Sequence, residues 1–430
     1  MTMFNTRRSF LGGVTGVVVG GLTYPGSAAA STKKLGMLMA GVAPGSDSYW
    51  KVVAEQFPVR QGKIMLNAAN LCPSPRTVSE QVAQLTRDED SDVSFPNRAK
   101  FDDLLQTSRT KVAAQLNASA DEIALVRNTS EANNTVNAGV SLKAGDEVVL
   151  WEQNHPCNNV AWEVRAARYG FSIKRVKVPM TAKSADEVVK LFEAAMTPQT
   201  KVLSITYVSN SSGFRLPAKQ IFAMARQRNA DIYCHLDGAQ TWGFLKLDLK
   251  DIGCDSFAAS AHKWFMGPKQ AGLLYVRQAS IARLWPSIVS VGWGNAAETS
   301  AKGARKFEAF GQRDDAGLAA VGTAADFHSM IGLENVEART TELATSLKEG
   351  LSKINRVKLV TPMDPKMSGG IAISELVGMD RKQTAAFVND LYVKYGIAGA
   401  PTGGVRLCPH TYNTRDDVDR TIYAVRQLLG

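Results

Sequence analysis

Ser256-Phe257-Ala258-Ala259-Ser260-Ala261-His262-Lys263-Trp264, running into Gly267-Pro268, sets one lysine immediately after a run of small and apolar residues. A short run of this kind reads as a buried strand over Ser256 to Ala261, so Lys263 stands just past its carboxyl end. Upstream, Asp231 to Leu236 reads as a second strand, and an isolated acid closes it in His235-Leu236-Asp237-Gly238-Ala239-Gln240. Working outward, strands are expected at Ile123 to Arg127, Glu147 to Trp151, Ser172 to Val178, Lys201 to Val208 and Gly272 to Arg277, seven in all. Helical runs lie among them near 132 to 141, 158 to 169, 184 to 195 and 217 to 228. Strands alternating with helices predict an α/β fold whose mostly parallel sheet is covered on both faces.

Outside this core the pattern changes. Residues 31–98 are punctuated by Pro44, Gly45, Pro58, Pro73, Pro75 and Pro96, and read as an arm and entry segment. A large domain is expected over 99–330, opening with a helix from Ala99 to Leu116 and closing with one near 314 to 331, after a glycine-rich loop from Gly292 to Gly311. A smaller α+β domain follows over 331–430, with a helix near 335 to 353. Its last helix runs from Arg415 to Leu429, with Thr414 as N-cap and Asp416 and Asp417 in the first turn.

The first 30 residues carry Asn5-Thr6-Arg7-Arg8-Ser9-Phe10-Leu11, an apolar run from Leu11 to Leu22 and Ala28-Ala29-Ala30. That layout is expected to be a twin-arginine export signal cut after Ala30, giving a protein exported folded to the periplasm. The apolar run is short for a bilayer and is broken by Gly12, Gly13, Gly16, Gly20 and Gly21, so no stable membrane anchor is expected. Of the net charge of +10, Arg7 and Arg8 leave with the signal, and the remaining excess forms no dense basic block. Nucleic acid is therefore not implied as a partner, while an anionic cofactor or substrate is compatible. Cys72, Cys157, Cys234, Cys254 and Cys408 include no C-x-x-C pair, so neither a zinc knuckle nor a disulfide framework is expected. Most are expected to be free, buried thiols; Cys157 and Cys408 lie beside candidate site segments without a neighbour that would lower a thiol pKa.

In an open α/β sheet, ligands sit beyond the carboxyl ends of the strands. Lys263 and Asp237 both occupy such ends. An amine that can hold an aldehyde as a Schiff base, and a carboxylate that can face a pyridine nitrogen, are what pyridoxal phosphate requires. Desolvated together, the acid and the ring cation favour each other's charged forms. Asn128-Thr129-Ser130-Glu131 follows the first strand and offers Thr129 and Ser130, with a positive helix end, to a phosphate; alone it is equally a capping turn. Ser260 and His262 are further phosphate candidates. His155 follows the second strand in Asn154-His155-Pro156-Cys157-Asn158, where an imidazole can stack on a flat ring or serve as an ordinary loop histidine. Asn210, in Ser209-Asn210-Ser211-Ser212-Gly213, is placed to reach a ring hydroxyl or simply to make a turn, and Gln240 accompanies Asp237.

Together, Asn128 to Asn134, Asn154 to Asn159, Val208 to Gly213, His235 to Gln240 and Ser260 to Trp264 resemble, in order and spacing, the class V aminotransferase family, which includes cysteine desulfurases and isopenicillin N epimerases. The tail Val405-Arg406-Leu407-Cys408-Pro409-His410-Thr411-Tyr412-Asn413-Thr414 resembles the epimerase-like branch. The resemblance implies the fold type I architecture of PLP-dependent transferases, with Lys263 as the Schiff-base lysine and base and Asp237 at the ring nitrogen. It implies Arg406 as the anchor of a substrate carboxylate. It also implies a homodimer in which Phe310-Gly311-Gln312-Arg313-Asp314 reaches the neighbour's phosphate, although Gln312 departs from the family's small hydroxyl residue. Between Cys254 and Cys408 the chain lacks the mobile-loop cysteine of the desulfurases. The function expected is action at the α-carbon of an amino acid or a peptide's amino-acid-like group, by epimerisation or transamination, with carbon–sulfur elimination as the alternative enzyme class. A non-catalytic binding protein on the same scaffold is the alternative outside enzymes.

Overall fold

A computed structural model describes residues 35–39, 41–290 and 303–430; the expected export signal and part of the Gly292 to Gly311 loop lie outside them. Strand β1 (Ile64–Met65) precedes the seven strands of the large sheet: β2 (Ile123–Val126), β3 (Glu147–Trp151), β4 (Ser172–Val176), β5 (Thr200–Thr206), β6 (Tyr233–Asp237), β7 (Ser256–Ser260) and β8 (Gly272–Val276). Their order is β2-β8-β7-β6-β5-β3-β4. The ladders from β4 through β3, β5 and β6 to β7 are parallel, and β8 runs antiparallel to both β7 and β2. The expected mostly parallel, seven-stranded α/β sheet is the one found.

Burial explains why the sheet is covered on both faces. Leu125, Val149, Trp151, Leu203, Ile205, Leu236, Phe257 and Leu273 point into one core, while Ala124, Val126, Val148, Leu150, Val202, Ala258 and Leu274 point into another. Alternate residues of one strand thus serve opposite cores, as a pleat of period two requires. Burying each Val, Leu or Phe side chain contributes roughly 1.5–3 kcal/mol. A third core belongs to the C-terminal α+β unit, whose strands β9 (Val357–Leu359), β10 (Ala372–Leu376) and β12 (Val405–Leu407) form an antiparallel sheet in the order β12-β10-β9. Helices Leu333–Ser352, Arg381–Tyr395 and Arg415–Leu429 line it with Leu347, Leu391 and Val425. Thr414 caps the last helix in a capping box with Asp417.

The segment 31–98 is more regular than an arm. A 16-residue helix, Arg76–Ser91, begins directly after Pro75 and buries only Thr77, Val78 and Leu85. Its apolar side chains are few among mostly polar ones, and Pro73, Pro75 and Pro96 punctuate the chain on either side of it, which is why the sequence concealed it. The same segment also joins the small unit: β1 pairs in parallel with β11 (Ile397–Ala398), and Ile64 and Leu66 enter that unit's core. Among the described residues, no helix is long and apolar enough to cross a membrane, and no cluster of His, Cys, Asp or Glu could hold a metal.

Candidate active site

The candidate site residues lie at the carboxyl ends of β2, β3, β6 and β7, and the C-terminal unit adds Arg406. Asp237 ends β6 and is fully buried. Its Oδ1 accepts from the Ala239 N–H at 3.0 Å and its Oδ2 from Asn133 Nδ2 at 3.0 Å. Lys263 lies three residues beyond β7, half-buried, and no hydrogen bond or ion pair involves its amine among the described residues. Burial pushes that amine below the ordinary lysine range against the opposing pull of Asp237, with Arg406 adding to the fall. A lowered amine pKa is what a proton-transferring lysine requires near neutrality.

The loop that presents Lys263 is held from three sides. The Trp264 indole donates to Gln240 Oε1 at 2.7 Å, and Phe265 stacks between Trp242 (3.7 Å) and His328 (4.9 Å). His328 Nε2 lies 2.9 Å from the Phe265 carbonyl, and His410 Nε2 lies 2.7 Å from the Trp264 carbonyl. Gly243, at φ 88°, passes so close to the Phe265 backbone that a Cβ there would clash. Glycine meets both demands at that crossing.

His155 caps the helix Pro156–Tyr169, its Nδ1 facing both the Cys157 N–H (3.2 Å) and the Cys157 thiol (3.0 Å). A ring nitrogen that receives an N–H carries no proton of its own, so the proton belongs on Nε2. Burial, then Lys263, lowers the His155 pKa, keeping the ring neutral. Burial first, then Asp237, raises the Cys157 thiol, and burial pushes Cys408 up to about 11. Neither sulfur is a ready thiolate, and all five cysteines are free, four of them buried. Lys263, Asp237, His155, Cys157 and Arg406 lie close enough for their charges to shift one another.

Arg406, on β12, is 4% exposed. It donates to the Asn210 carbonyl at 3.2 Å and to Asn67 Oδ1 at 3.3 Å, while its buried Nε has no partner among the described residues. Asn210 thus meets Arg406 through its backbone. Thr129 begins the helix Thr129–Gly139 and bonds Ser260 twice, N–H to Oγ at 2.8 Å and hydroxyl to hydroxyl at 2.7 Å. Exposed Ser130 lies against Cys157. His262 keeps a buried Nδ1 without a partner among the described residues. Gln240 holds the Trp264 indole on one end and donates to the Ala69 carbonyl at 3.0 Å on the other. Gln312 accepts from Arg98, and Arg313 meets Glu308, so each has a partner within its own chain.

Sequence reasoning gave no role to Asn67, Asn133 or His235, yet Asn67 bonds Arg406, Asn133 bonds Asp237, and His235 bonds Asn133. Asn133 lies in the stretch Asn128 to Asn134, but its value depends on which strand end the helix crosses.

The family model for class V aminotransferases matches residues 65–421. The chain belongs to that family. It is 32% identical over 397 residues to isopenicillin N epimerase of Amycolatopsis lactamdurans, covering 88% of this chain and 98% of the relative. It is 30% identical over 422 residues to a probable cysteine desulfurase of Xylella fastidiosa, covering 90% and 98%. Among solved structures, a mutant of C-DES with glycine covalently linked to its PLP cofactor superposes with a TM-score of 0.79 at 21% identity, covering 86% of this chain and 98% of that one. The cysteine desulfurase CsdA of Escherichia coli gives 0.76 at 23% identity, covering 88% and 98%. These likenesses share the fold type I architecture of PLP-dependent enzymes.

Proposed function

We propose that this chain is a PLP-dependent enzyme that moves the α-proton of an amino acid, or of an amino-acid-like group in a peptide, by epimerisation or transamination. The carrying observation is Lys263, a depressed amine without a hydrogen-bond partner among the described residues, sharing one site with the buried carboxylate of Asp237 and with Arg406. The donor set fits pyridoxal phosphate. Lys263 would hold its aldehyde, Asp237 its ring nitrogen, and His155 its ring face. Thr129, Ser130, Ser260 and the unpartnered His262 Nδ1 would serve its phosphate at a helix N-terminus. Asn210 and Gln240 complete the candidate ring contacts. Bound there, the cofactor supplies an electron-withdrawing ring that accepts the pair left when a bond to the α-carbon breaks.

This chain's residues supply the rest. Arg406 has its guanidinium fixed by Asn67 and Asn210 and a spare buried Nε–H, so it can take a substrate carboxylate in charge-assisted hydrogen bonds. That anchor orients the α-carbon. The Lys263 amine, in its neutral form, takes the α-proton and returns it. Return to the same face exchanges the proton, and delivery to the opposite face by a second donor gives epimerisation. His155, neutral with its proton on Nε2, adds a donor without adding charge.

A second reading, carbon–sulfur elimination, begins with the same proton removal and is favoured by the cysteine desulfurases among the relatives. The absence of any cysteine between Cys254 and Cys408 weighs for the first. The twin-arginine layout of the first residues supports a periplasmic enzyme, and the family resemblance supports a homodimer. Loaded protein incubated with amino acids and short peptides in deuterated water tests the readings: α-deuteration without net product supports epimerisation, keto acid supports transamination, and pyruvate with sulfide supports elimination. No exchange with any of them would sink the proposal.

A further inference from the structure

Behind Asp237 runs a line of buried polar side chains: Ser256, His235 and Asn133. All three are fully buried, as is Asp237. Ser256 Oγ lies 2.8 Å from His235 Nδ1, His235 Nε2 lies 2.9 Å from Asn133 Oδ1, and Asn133 Nδ2 lies 3.0 Å from Asp237 Oδ2. They come from separate elements, β7, β6 and the helix Thr129–Gly139, so the line exists only in the folded chain. Apolar side chains would fill the same space without the desolvation cost of four polar groups.

Chemistry fixes the direction of each bond. A carboxylate oxygen only accepts, so Asn133 turns its amide nitrogen to Asp237 and its carbonyl to His235. His235 must then carry its proton on Nε2, which leaves Nδ1 to accept from the Ser256 hydroxyl. Burial lowers the His235 pKa to about 4, so the ring stays neutral and this arrangement persists across neutral pH. Every donor in the line points toward Asp237, and hydrogen bonds so aligned polarise one another. The second Asn133 amide proton has the Cys157 sulfur near it, at 3.9 Å. With Ala239 on the other oxygen, the carboxylate plane is fixed on both sides and its remaining lone pairs are left to the site.

We propose that Asn133 and His235 are positioning residues for the cofactor's ring nitrogen, acting through Asp237 as a directional relay from Ser256. This rests on the reading of Asp237 as the acid that faces that nitrogen. The relay sets where the acid stands and how much of its charge reaches the ring proton.

The test uses full-length protein loaded with pyridoxal phosphate labelled with nitrogen-15 in the ring. The ring-nitrogen resonance reports protonation there, and a binding titration gives the cofactor's dissociation constant. Asn133→Leu and His235→Leu should each weaken cofactor binding by roughly tenfold or more, the size of losing a hydrogen bond to a buried charge. Both should move the resonance toward unprotonated pyridine. His235→Gln, whose amide N–H falls where Nε2 stood, should behave as wild type; His235→Asn, which reaches only the Nδ1 position, should behave as His235→Leu. That polar pair keeps the test decisive if the leucine variants fold poorly.

Wild-type resonance and affinity in both Asn133→Leu and His235→Asn would overturn the relay alone. Equal loss in His235→Gln and His235→Asn would also overturn it, leaving only packing. Failure of the wild-type protein to take up the cofactor, or an unprotonated ring in wild type, would overturn the reading of Asp237 and the relay with it.

Discussion

His410 Nε2 stands 2.7 Å from the carbonyl oxygen of Trp264, the residue directly after Lys263, so the C-terminal unit grips the loop that carries the candidate reactive amine. The other ring nitrogen, Nδ1, meets the Thr340 hydroxyl at 3.0 Å, which fixes the ring from behind. With His328 on the next carbonyl, two neutral imidazoles hold the loop as N–H donors. Each predicted effect below follows from a contact of this kind.

Replacing His410 with phenylalanine keeps the ring volume and removes both bonds. The Trp264 carbonyl and the Thr340 hydroxyl are then left buried without their partner, at a cost of about 1–3 kcal/mol. Chemical denaturation should show the loss as a lower midpoint with an unchanged slope.

Acid should destabilise the protein well before its carboxylates protonate. His235 and His328 are buried with values near about 4, and His410 near about 3, against an unfolded value of 6.5. Their folded values are depressed, so their contribution is fully present above 6.5 and falls as pH drops toward 4, where the unfolded chain takes up protons and the folded chain does not. Each histidine removes about 1.4 kcal/mol per pH unit within that window. Urea midpoints at pH 7.5, 6.0 and 5.0 should fall in that order, and equal midpoints would contradict the burial of these rings.

Lys263→Ala should abolish covalent attachment of pyridoxal phosphate. Borohydride reduction of the loaded wild type, followed by peptide mapping, should place the label on the peptide containing Lys263. A label on another lysine would remove the assignment.

Arg406→Lys keeps the charge and loses the planar fork that Asn67 and Asn210 orient. KM for a substrate with a free α-carboxylate should rise roughly tenfold or more, the effect of losing one charge-assisted hydrogen bond. The cofactor's visible spectrum should stay unchanged. A changed spectrum with an unchanged KM would place Arg406 elsewhere in the chemistry.

Cys157 should alkylate slowly at pH 7, because burial and Asp237 both disfavour its thiolate. Iodoacetamide followed by mass spectrometry should show less modification than a free thiol at neutral pH, rising as the pH is raised. Cys157→Ser should keep cofactor binding, since the backbone N–H to His155 Nδ1 survives the change.

Much of this architecture was legible in the chain because local chemistry repeats it. Strand β3, Glu147–Trp151, stands where its apolar run put it, and the last helix begins at Thr414, where a capping hydroxyl precedes two acids. Lys263, Asp237 and His155 were legible as residues that follow strands, since the end of a parallel strand is where a side chain meets open space. The helix Arg76–Ser91 was not, because its mostly polar composition and the prolines flanking it read as an irregular entry segment.

The sequence by itself therefore determined the α/β fold and the candidate amine and acid, because periodicity and strand-end placement are local properties, while the family and the candidate arginine came from the resemblance of whole motifs. Only the tertiary structure decided what holds them. Asn133 lies 104 residues from the acid it supports, Asn67 lies 339 from Arg406, and His410 lies 146 from the carbonyl it grips. Hydrogen bonds act over about 3 Å, so partners this distant in sequence become visible only when the folded core closes the space between them.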